Sequence, residues 1–333
     1  MHDLHPPNKP RAGLGSWHHR APRRGCDQYF YGRGAIKLGI QLDGYPAPSK
    51  LRQSILFELR LPRIVMAIAV GAGLSICGAA LQAITRNDLA EPYLLGVSYG
   101  ASTGAVIMLL LVPASFALGL TGGAALGALA AFGVLMTLLR GSGFVSTRVV
   151  LTGVLVGQFF SAITSLILVA KGDAESVRGI TFWLLGAMGA TRSNTLVIVV
   201  AAVLVLGVVI WALSRYLDAM SFGDETAQSM GVPVIGVRAT VLVCVALMTA
   251  ATVSAVGAIG FVGLIVPHAV RMMVGPGHVQ LIPLSALVGT ILMVVTDALS
   301  RTVFQPQEVP VGVFTALIGV PLFFFIMRRA QRL

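Results

Sequence analysis

Long apolar runs recur along this sequence, and they limit its fold more than any other feature. From Ile64 onward the runs approach the roughly 20 residues that a helix needs to cross a bilayer, with short polar breaks between them. They are continuously apolar rather than alternating, which indicates helices and not barrel strands. Only 11% of the residues are charged, whereas soluble domains carry roughly 25%. The predicted fold class is therefore all-α, a polytopic membrane helix bundle.

The hydropathy pattern predicts nine spans. Their approximate bounds are 63–84, 93–112, 115–139, 148–170, 194–213, 238–257, 259–274, 281–299 and 309–327. Residues 1–35 are rich in Pro, Gly, His and Arg without a helical period, so we interpret them as a disordered or unrelated basic tail. We interpret 36–60 as an external segment before the first span, and 61–333 as the transmembrane domain with a cytoplasmic loop at 221–238.

The formal net charge of +11 suggests nucleic acid at first sight, but the cations are not clustered for that purpose. Of 24 Lys and Arg, 8 lie in the first 50 residues and the others mark span ends. We therefore predict contact with membrane lipid and no nucleic-acid partner. The basic C-terminal stretch MRRAQRL, Met327–Leu333, places that end in the cytoplasm by the positive-inside rule.

Nine spans then leave the basic N-terminal tail outside, together with Arg60 and Arg63, which contradicts the same rule. Two explanations stay open. Either the tail is external, or a first span that would carry the N-terminus inside is missing. We favour the missing span.

Several kinds of chemistry have no motif in the sequence. No G-x-x-x-x-G-K-[ST] phosphate loop occurs, so any ATP used for transport must be bound by another chain. The few carboxylates near the spans fall at span ends or in breaks, which disfavours an ion-coupled carrier. The three cysteines form neither a disulfide framework nor a metal spacing. We predict no metal, no cofactor and no enzymatic activity of the chain itself.

Polar and small residues inside the spans need their own explanation. The glycines of Gly71–Ala80 and Gly257–His268 predict close helix packing. Gln158 is the deepest polar side chain, and a buried amide needs a partner or water. It either lines an aqueous path or bonds a neighbouring helix.

The most informative polar connection is SFGDETAQSMGVPVIGVR, Ser221–Arg238. Asp224 and Glu225 stand at the start of a short helical pattern, where acidic side chains suit the helix dipole. Gly231 suits the end of that helix. The stretch is either a solvated loop or a knob that docks on another protein.

Taken together, the sequence resembles the FecCD-type permeases of bacterial importers for siderophores, haem and cobalamin. The matching stretches are LRLPR (59–63), GAALQAITRNDLAEPYLLGVSYGAS (78–102), FWLLGAMG (182–189), GDETAQSMGV (223–232), GAIGFVGLIVPHAVR (257–271) and EVPVGVFTALIGVPLFFFIM (308–327). They follow the family's order and cover about residues 36–333. Asp88 departs from the pattern, because the family usually has Pro there.

The resemblance implies a type II ATP-binding-cassette importer in the bacterial cytoplasmic membrane. Such an importer pairs two permeases, as a homodimer or a heterodimer, with ten spans each. Two cytoplasmic ATPase subunits and a periplasmic or lipid-anchored binding protein complete it, which would explain the missing phosphate loop. The family's first span has no counterpart here, and Met1–Gly25 reads like unrelated or out-of-frame sequence.

The resemblance also implies roles for individual residues. The positions that match the element coupled to the ATPase are Asp224, Glu225, Thr226, Ala227 and Gly231. Gln158 would lie beside the translocation path at the dimer interface. Arg60, Arg63 and Arg301 would receive acidic residues of the binding protein, since arginine takes a carboxylate with two parallel hydrogen bonds. The residues alone allow lipid phosphate contacts for the first two and an ion pair between Arg301 and Asp297.

The expected function is therefore a permease subunit that imports an iron chelate, with ferric siderophore as the first expectation. Haem and cobalamin are the alternatives within the family. An ion-coupled secondary transporter and an inactive, truncated permease are the alternatives outside it.

Overall fold

The computed structural model describes residues 55–112, 119–141, 145–189 and 193–330. Contacts divide the chain into Met1–Tyr45 and Pro46–Leu333, and the described residues all belong to the second unit. The predictions for the tail 1–35 and for 36–54 lie outside them. The described residues are mainly helical and include no strand, which confirms the predicted all-α membrane bundle.

The α-helices are α1 Leu61–Thr85, α2 Val97–Leu110, α3 Gly119–Leu139, α4 Ser146–Lys171, α5 Ala174–Leu184, α6 Ser193–Ala212, α7 Ser214–Ser221, α8 Asp224–Ser229, α9 Val234–Val256, α10 Val262–Val274, α11 His278–Thr302 and α12 Val311–Ala330. A π-helical turn, Ile55–Arg60, precedes α1 without a break, and a 3-10 turn, Pro92–Leu95, precedes α2. The first span therefore begins within the segment that we expected to be external.

Within the described ranges, six helices are long and apolar enough to cross a membrane, and three shorter helices are also apolar. The shorter ones are α2, α10 and α12. Together they correspond to the nine spans expected from hydropathy. The amphipathic α5 was not anticipated. Its first turn is capped by Asp173, whose carboxylate accepts a hydrogen bond from the Ser176 amide at 3.0 Å.

Helix α1 lies at the centre of the bundle and packs on α6, α9, α10 and α11. Its glycines allow this close approach. A Cβ atom at Gly71 would lie 2.3 Å from the carbonyl oxygen of Gly289 in α11, and one at Gly78 would lie 1.8 Å from that of Gly263 in α10. Since lipid gives helices no hydrophobic reason to associate, such close packing holds membrane bundles together. The expected packing role of these glycines is confirmed.

Two non-helical segments, 86–91 and 257–261, explain why α2 and α10 are short. Backbone groups outside helices must find partners when they are buried in a membrane protein. The Tyr93 hydroxyl accepts a hydrogen bond from the Ile259 amide, and the Glu91 carboxylate accepts one from the Phe261 amide at 3.4 Å. The Gln82 amide donates to the Leu264 carbonyl at 3.1 Å. These side chains join the start of α10 to α1 and the 3-10 turn.

Replacing Gly78 with Ala should destabilise the purified chain by about 1–3 kcal/mol, because the added methyl group meets backbone rather than a movable side chain. Gly133→Ala in α3 is the matched control, since a Cβ there meets nothing within 4 Å. We expect a lower thermal unfolding midpoint in detergent for Gly78→Ala and an unchanged or slightly higher one for the control. Equal midpoints would contradict the packing argument.

Candidate functional site

Charged side chains form two clusters near opposite ends of α1. The Arg63 cluster consists of Arg63, Asp297, Arg301 and Glu308. The Asp224 cluster consists of Arg86, Asp224 and Arg238. Arg63 lies in the first turn of α1 and Arg86 follows its last residue, so a 25-residue helix, roughly 37 Å long, separates the two clusters.

In the Arg63 cluster a buried carboxylate lies between two arginines. Arg63 Nε donates to Asp297 Oδ1 at 2.9 Å, and Arg301 Nη2 lies 3.0 Å from Asp297 Oδ2. The side chain of Asp297 is only 2% exposed. A charge removed from water in this way requires well-placed partners, and each of its oxygens has an arginine. The ion pair between Asp297 and Arg301, four positions apart in α11, was the alternative that their spacing allowed, and the structure contains it.

Glu308 completes the cluster from the connection between α11 and α12. Arg63 Nη1 donates to Glu308 Oε2 at 3.0 Å and lies 3.3 Å from Oε1. Unlike Asp297, this carboxylate is 50% exposed. Arg60 is exposed in the π-helical turn, and none of the ion pairs among the described residues includes it. The three arginines assigned to docking therefore differ in their partners. Arg63 and Arg301 already contact internal carboxylates, whereas Arg60 contacts none among the described residues.

A cavity of about 1270 Å³ opens beside the Arg63 cluster. Among the residues that the structure describes, Arg63 and Glu308 are its charged lining residues, and α3, α5, α6 and α9 supply most of the rest of its wall. Lining side chains of other kinds include Thr121, Phe182, Trp183, Asn194, Ile198 and Ser254. The wall combines apolar surface with a few hydroxyl and amide groups.

The Asp224 cluster fixes the first residue of α8. Arg238 donates to both carboxylate oxygens of Asp224, at 3.0 Å and 2.8 Å, and Arg86 Nη2 lies 3.7 Å from Oδ1. Arg238 is 2% exposed and Asp224 is 32% exposed. The hydrogen bonds from Arg238 hold the pKa of Asp224 below its usual range. Asp224 thus attaches α8 to α9 and to the end of α1.

The short helix α8 presents a mixed surface. Glu225 and Thr226 are exposed, whereas Ala227 is fully buried and packs in the hydrophobic core. Gly231 adopts a φ of +82°, and its amide donates to the Gln228 carbonyl at 2.9 Å. This left-handed conformation is the one in which glycine commonly ends a helix. The predicted start and end of this helix agree with the structure, but Ala227 is not at the surface.

Sequence reasoning missed two exposed apolar side chains beside α8. Phe222 precedes it and Met230 follows it, and both are largely exposed. The sequence signal that could have identified them is that these two apolar residues stand on either side of the polar helix α8. Asp218 in α7 was also missed. Its Oδ1 atom accepts a hydrogen bond from the His278 backbone amide at 2.9 Å and lies 2.6 Å from Nδ1 of the His278 ring. These contacts join α7 to the start of α11.

Asp88, the departure from the family pattern, has a partner in the structure. Its carboxylate pairs with Arg271 Nη1, and Arg271 Nη2 donates to the Gln82 side-chain oxygen at 3.3 Å. A proline at this position would offer no such acceptor. The connection after α1 is therefore attached to α10 by an ion pair.

Gln158 lies on an exposed face of α4. Its neighbours Leu155 and Phe159 are exposed as well. Among the residues that the structure describes, none forms a hydrogen bond with its amide. The alternative in which Gln158 bonds a neighbouring helix of the same chain is therefore not observed.

Comparisons with known proteins agree with the fold. The model of the FecCD transport family matches residues 30–329. The ABC transporter permease protein YvrB of Bacillus subtilis is 41% identical over 286 residues, which cover 84% of this chain and 80% of YvrB. The cobalamin import system permease protein BtuC of Halobacterium salinarum is 40% identical, over 83% of this chain and 74% of BtuC.

The chain is also similar to a permease named for iron citrate import and to a solved transporter structure. The Fe(3+)-citrate import system permease protein YfmD of Bacillus subtilis is 36% identical, over 84% of this chain and 83% of YfmD. A solved structure described as an inward-facing, metal-chelate type ABC transporter superposes with a TM-score of 0.78 at 32% identity. The match covers 86% of this chain and 91% of the solved one.

Replacing Asp224 with Asn should loosen α8, because a neutral amide cannot accept both charged hydrogen bonds from Arg238. Hydrogen bonds to charged groups contribute about 1.5–3 kcal/mol, and partial exposure reduces that value. The measurement is hydrogen exchange of the amides of residues 224–231, with Glu225→Gln as an equal change of charge at an exposed neighbour. We expect faster exchange only in Asp224→Asn.

The depressed pKa of Asp224 also fixes the sign of the pH dependence. Its stabilising contribution is complete above the ordinary carboxyl pKa of about 3.9 and is lost as the pH falls through the lower pKa of the folded state. The difference between wild type and Asp224→Asn should therefore shrink on acidification below that range. A difference in hydrogen exchange that grows on acidification would contradict the assignment.

Proposed function

We propose that this chain, which belongs to the FecCD transport family, imports a ferric siderophore across the bacterial cytoplasmic membrane. Members of the family are the transmembrane permease subunits of ATP-binding-cassette importers for iron chelates, cobalamin or related substrates. The chain is accordingly a multi-pass membrane permease, and its family lacks an ATPase site of its own. The observation that carries the proposed docking of partner proteins is the pair of charged clusters near opposite ends of α1.

The choice of substrate rests on the relatives. Iron chelates are the cargo in the names of several, among them YfmD and the iron(3+)-hydroxamate permease FhuB of Bacillus subtilis, both 36% identical. Cobalamin is a second candidate because BtuC of Halobacterium salinarum is 40% identical. Haem is the third substrate class of the family.

The Arg63 cluster and Arg60 are proposed to face the outside and dock the binding protein. Arg60 is exposed and has no internal carboxylate among the described residues, so it is available to a partner's acid. Arg63 and Arg301 already pair with internal carboxylates. Charge complementarity of this kind speeds encounter and fixes orientation.

The surface around α8 is proposed to dock the ATPase subunit on the cytoplasmic side. Its contact residues would be Glu225 and Thr226, with Phe222 and Met230 as apolar anchors. Aromatic residues and methionine are enriched at protein interfaces. Asp224, Ala227 and Gly231 would act by shaping this surface, through the ion pair with Arg238, core packing and the helix end.

Family and fold indicate that permeases work in pairs, and α4 is the proposed contact with the second permease. An amide that faces lipid is unfavourable, because it loses its hydrogen bonds to water. The exposed face that holds Gln158 is therefore better covered by a second permease, with an aqueous path between the two. This placement keeps Gln158 in its expected role beside the path.

The substrate proposal is tested by deleting the gene and measuring growth on a panel of ferric chelates as sole iron sources. We expect loss of growth on at least one siderophore, with normal growth on iron salts at high concentration. Growth of the same deletion strain under conditions in which it depends on supplied cobalamin tests the second candidate. If the deletion strain grows on every chelate but needs more supplied cobalamin than the parent strain, the second proposal would replace the first.

The coupling proposal predicts that Phe222→Ser and Glu225→Arg each abolish most of the substrate-stimulated ATPase activity of the assembled importer. Gly231→Val should do the same, because a β-branched residue is strained at a positive φ. The exposed Ile235→Ser in the first turn of α9 is the control for loss of an apolar side chain. Unchanged stimulation in Phe222→Ser and Glu225→Arg would show that the ATPase docks elsewhere.

A further inference from the structure

The Arg63 cluster contains two of the three arginines proposed for docking, Arg63 and Arg301, and the carboxylates Asp297 and Glu308 that already pair with them. We propose that Glu308 is an internal competitor, which an incoming carboxylate of the binding protein displaces from Arg63. Asp297 stays in place during this exchange. The inference rests on the docking role of Arg60, Arg63 and Arg301 in the proposed function.

The two carboxylates differ in how firmly they are held. Asp297 is 2% exposed and has an arginine on each oxygen, and it lies within α11. Glu308 is 50% exposed, and its ion pair among the described residues is the one with Arg63. Arg63 is 12% exposed, so this ion pair is partly rather than fully exposed, and water screens it on the Glu308 side. Glu308 is therefore the carboxylate that can leave.

The geometry of Arg63 explains why Glu308 must leave. A guanidinium binds a carboxylate most strongly through two neighbouring N–H groups on one edge. Asp297 takes the Nε atom, and Glu308 takes Nη1. Among the described residues Nη2 has no partner, so the edge formed by Nη1 and Nη2 is half occupied there, and a second carboxylate on that edge would be repelled by Glu308. When Glu308 turns away, this edge can accept both oxygens of an incoming acid.

The exchange can remain a side-chain movement because the backbone after Glu308 is fixed. The amide of Val309 donates to the Ser300 carbonyl at 3.2 Å, and the Ser300 hydroxyl donates to the Val309 carbonyl at 2.7 Å. The amide of Val311 donates to the Gly186 carbonyl at 2.8 Å. Glu308 also lines the large cavity, so its side chain has space into which it can turn.

The consequence is that Glu308 sets the strength and selectivity of docking. A partner must supply a carboxylate that binds Arg63 better than Glu308 does, so a surface with diffuse negative charge is not sufficient. Removing Glu308 should therefore strengthen docking of the binding protein. If Glu308 served only to stabilise the permease, its removal would weaken docking or leave it unchanged.

The test measures affinity of the binding protein for the assembled importer in lipid nanodiscs at low salt. Glu308→Gln should tighten binding by about two- to fivefold, the range that exposed ion pairs contribute. Glu175→Gln is the matched control. It removes the same charge from an exposed position on α5, a helix that lines the same cavity, and it should change affinity less.

A second variant separates competition from net charge. Glu308→Asp keeps the charge but shortens the side chain by one methylene group, so it should also tighten binding, though less than Glu308→Gln. In an Arg63→Gln background, Glu308→Gln should have no effect on affinity. Equal effects of Glu308→Gln and Glu175→Gln, or weaker binding in Glu308→Asp, would overturn the exchange.

The docking role itself is tested separately in the same assay. Arg60→Glu and Arg63→Glu should weaken binding and reduce its dependence on salt. If they do so while Glu308→Gln changes nothing, docking stands and the competition is wrong. If neither arginine variant changes affinity, the docking role and the competition fail together.

Discussion

The arrangement of this bundle depends on the close approach of α1 to α10 and α11. At Gly71 and Gly78 the backbones come so near that a single methyl group would overlap a carbonyl oxygen of the neighbouring helix. In a membrane this packing is a main source of helix association, because apolar side chains gain nothing by leaving lipid. Burying α1 in this way fixes where its two ends lie. The positions of Arg63 and Arg86, and of the clusters around them, follow from that.

The two clusters obey the same electrostatic rule. In the Arg63 cluster, Arg63 pairs with the buried Asp297, which is 2% exposed, and with the half-exposed Glu308. In the Asp224 cluster, Arg238, which is 2% exposed, pairs with the more exposed Asp224. A buried charge is tolerated only with partners in good geometry, so the buried member is fixed. The more exposed member gains less from the pair and keeps access to water. A change at the exposed members can therefore leave the buried ones in place.

The sequence allowed the spans to be predicted because length and hydropathy are local properties, and the same holds for the i,i+4 pair of Asp297 with Arg301. It did not allow the pairing of Arg63 with Asp297, which lie 234 residues apart, because that contact depends on how α1 crosses α11. Helix α8 shows the same limit at short range. The sequence predicted where this helix begins and that a glycine ends it. A helix of six residues has no clear hydrophobic period, so the burial of Ala227 could not be predicted.

Helices α1 and α11 each make attachments near both ends. Beyond the Arg63 cluster, Arg86 after α1 lies close to Asp224, and His278 at the start of α11 contacts Asp218 in α7. The connection that holds α7 and α8 is thus tied to both helices. Because Gly71 and Gly289 leave no side chain between the two backbones, α1 and α11 have little freedom to slide independently. We therefore expect a displacement of this pair to move the attachments of α7 and α8 as well.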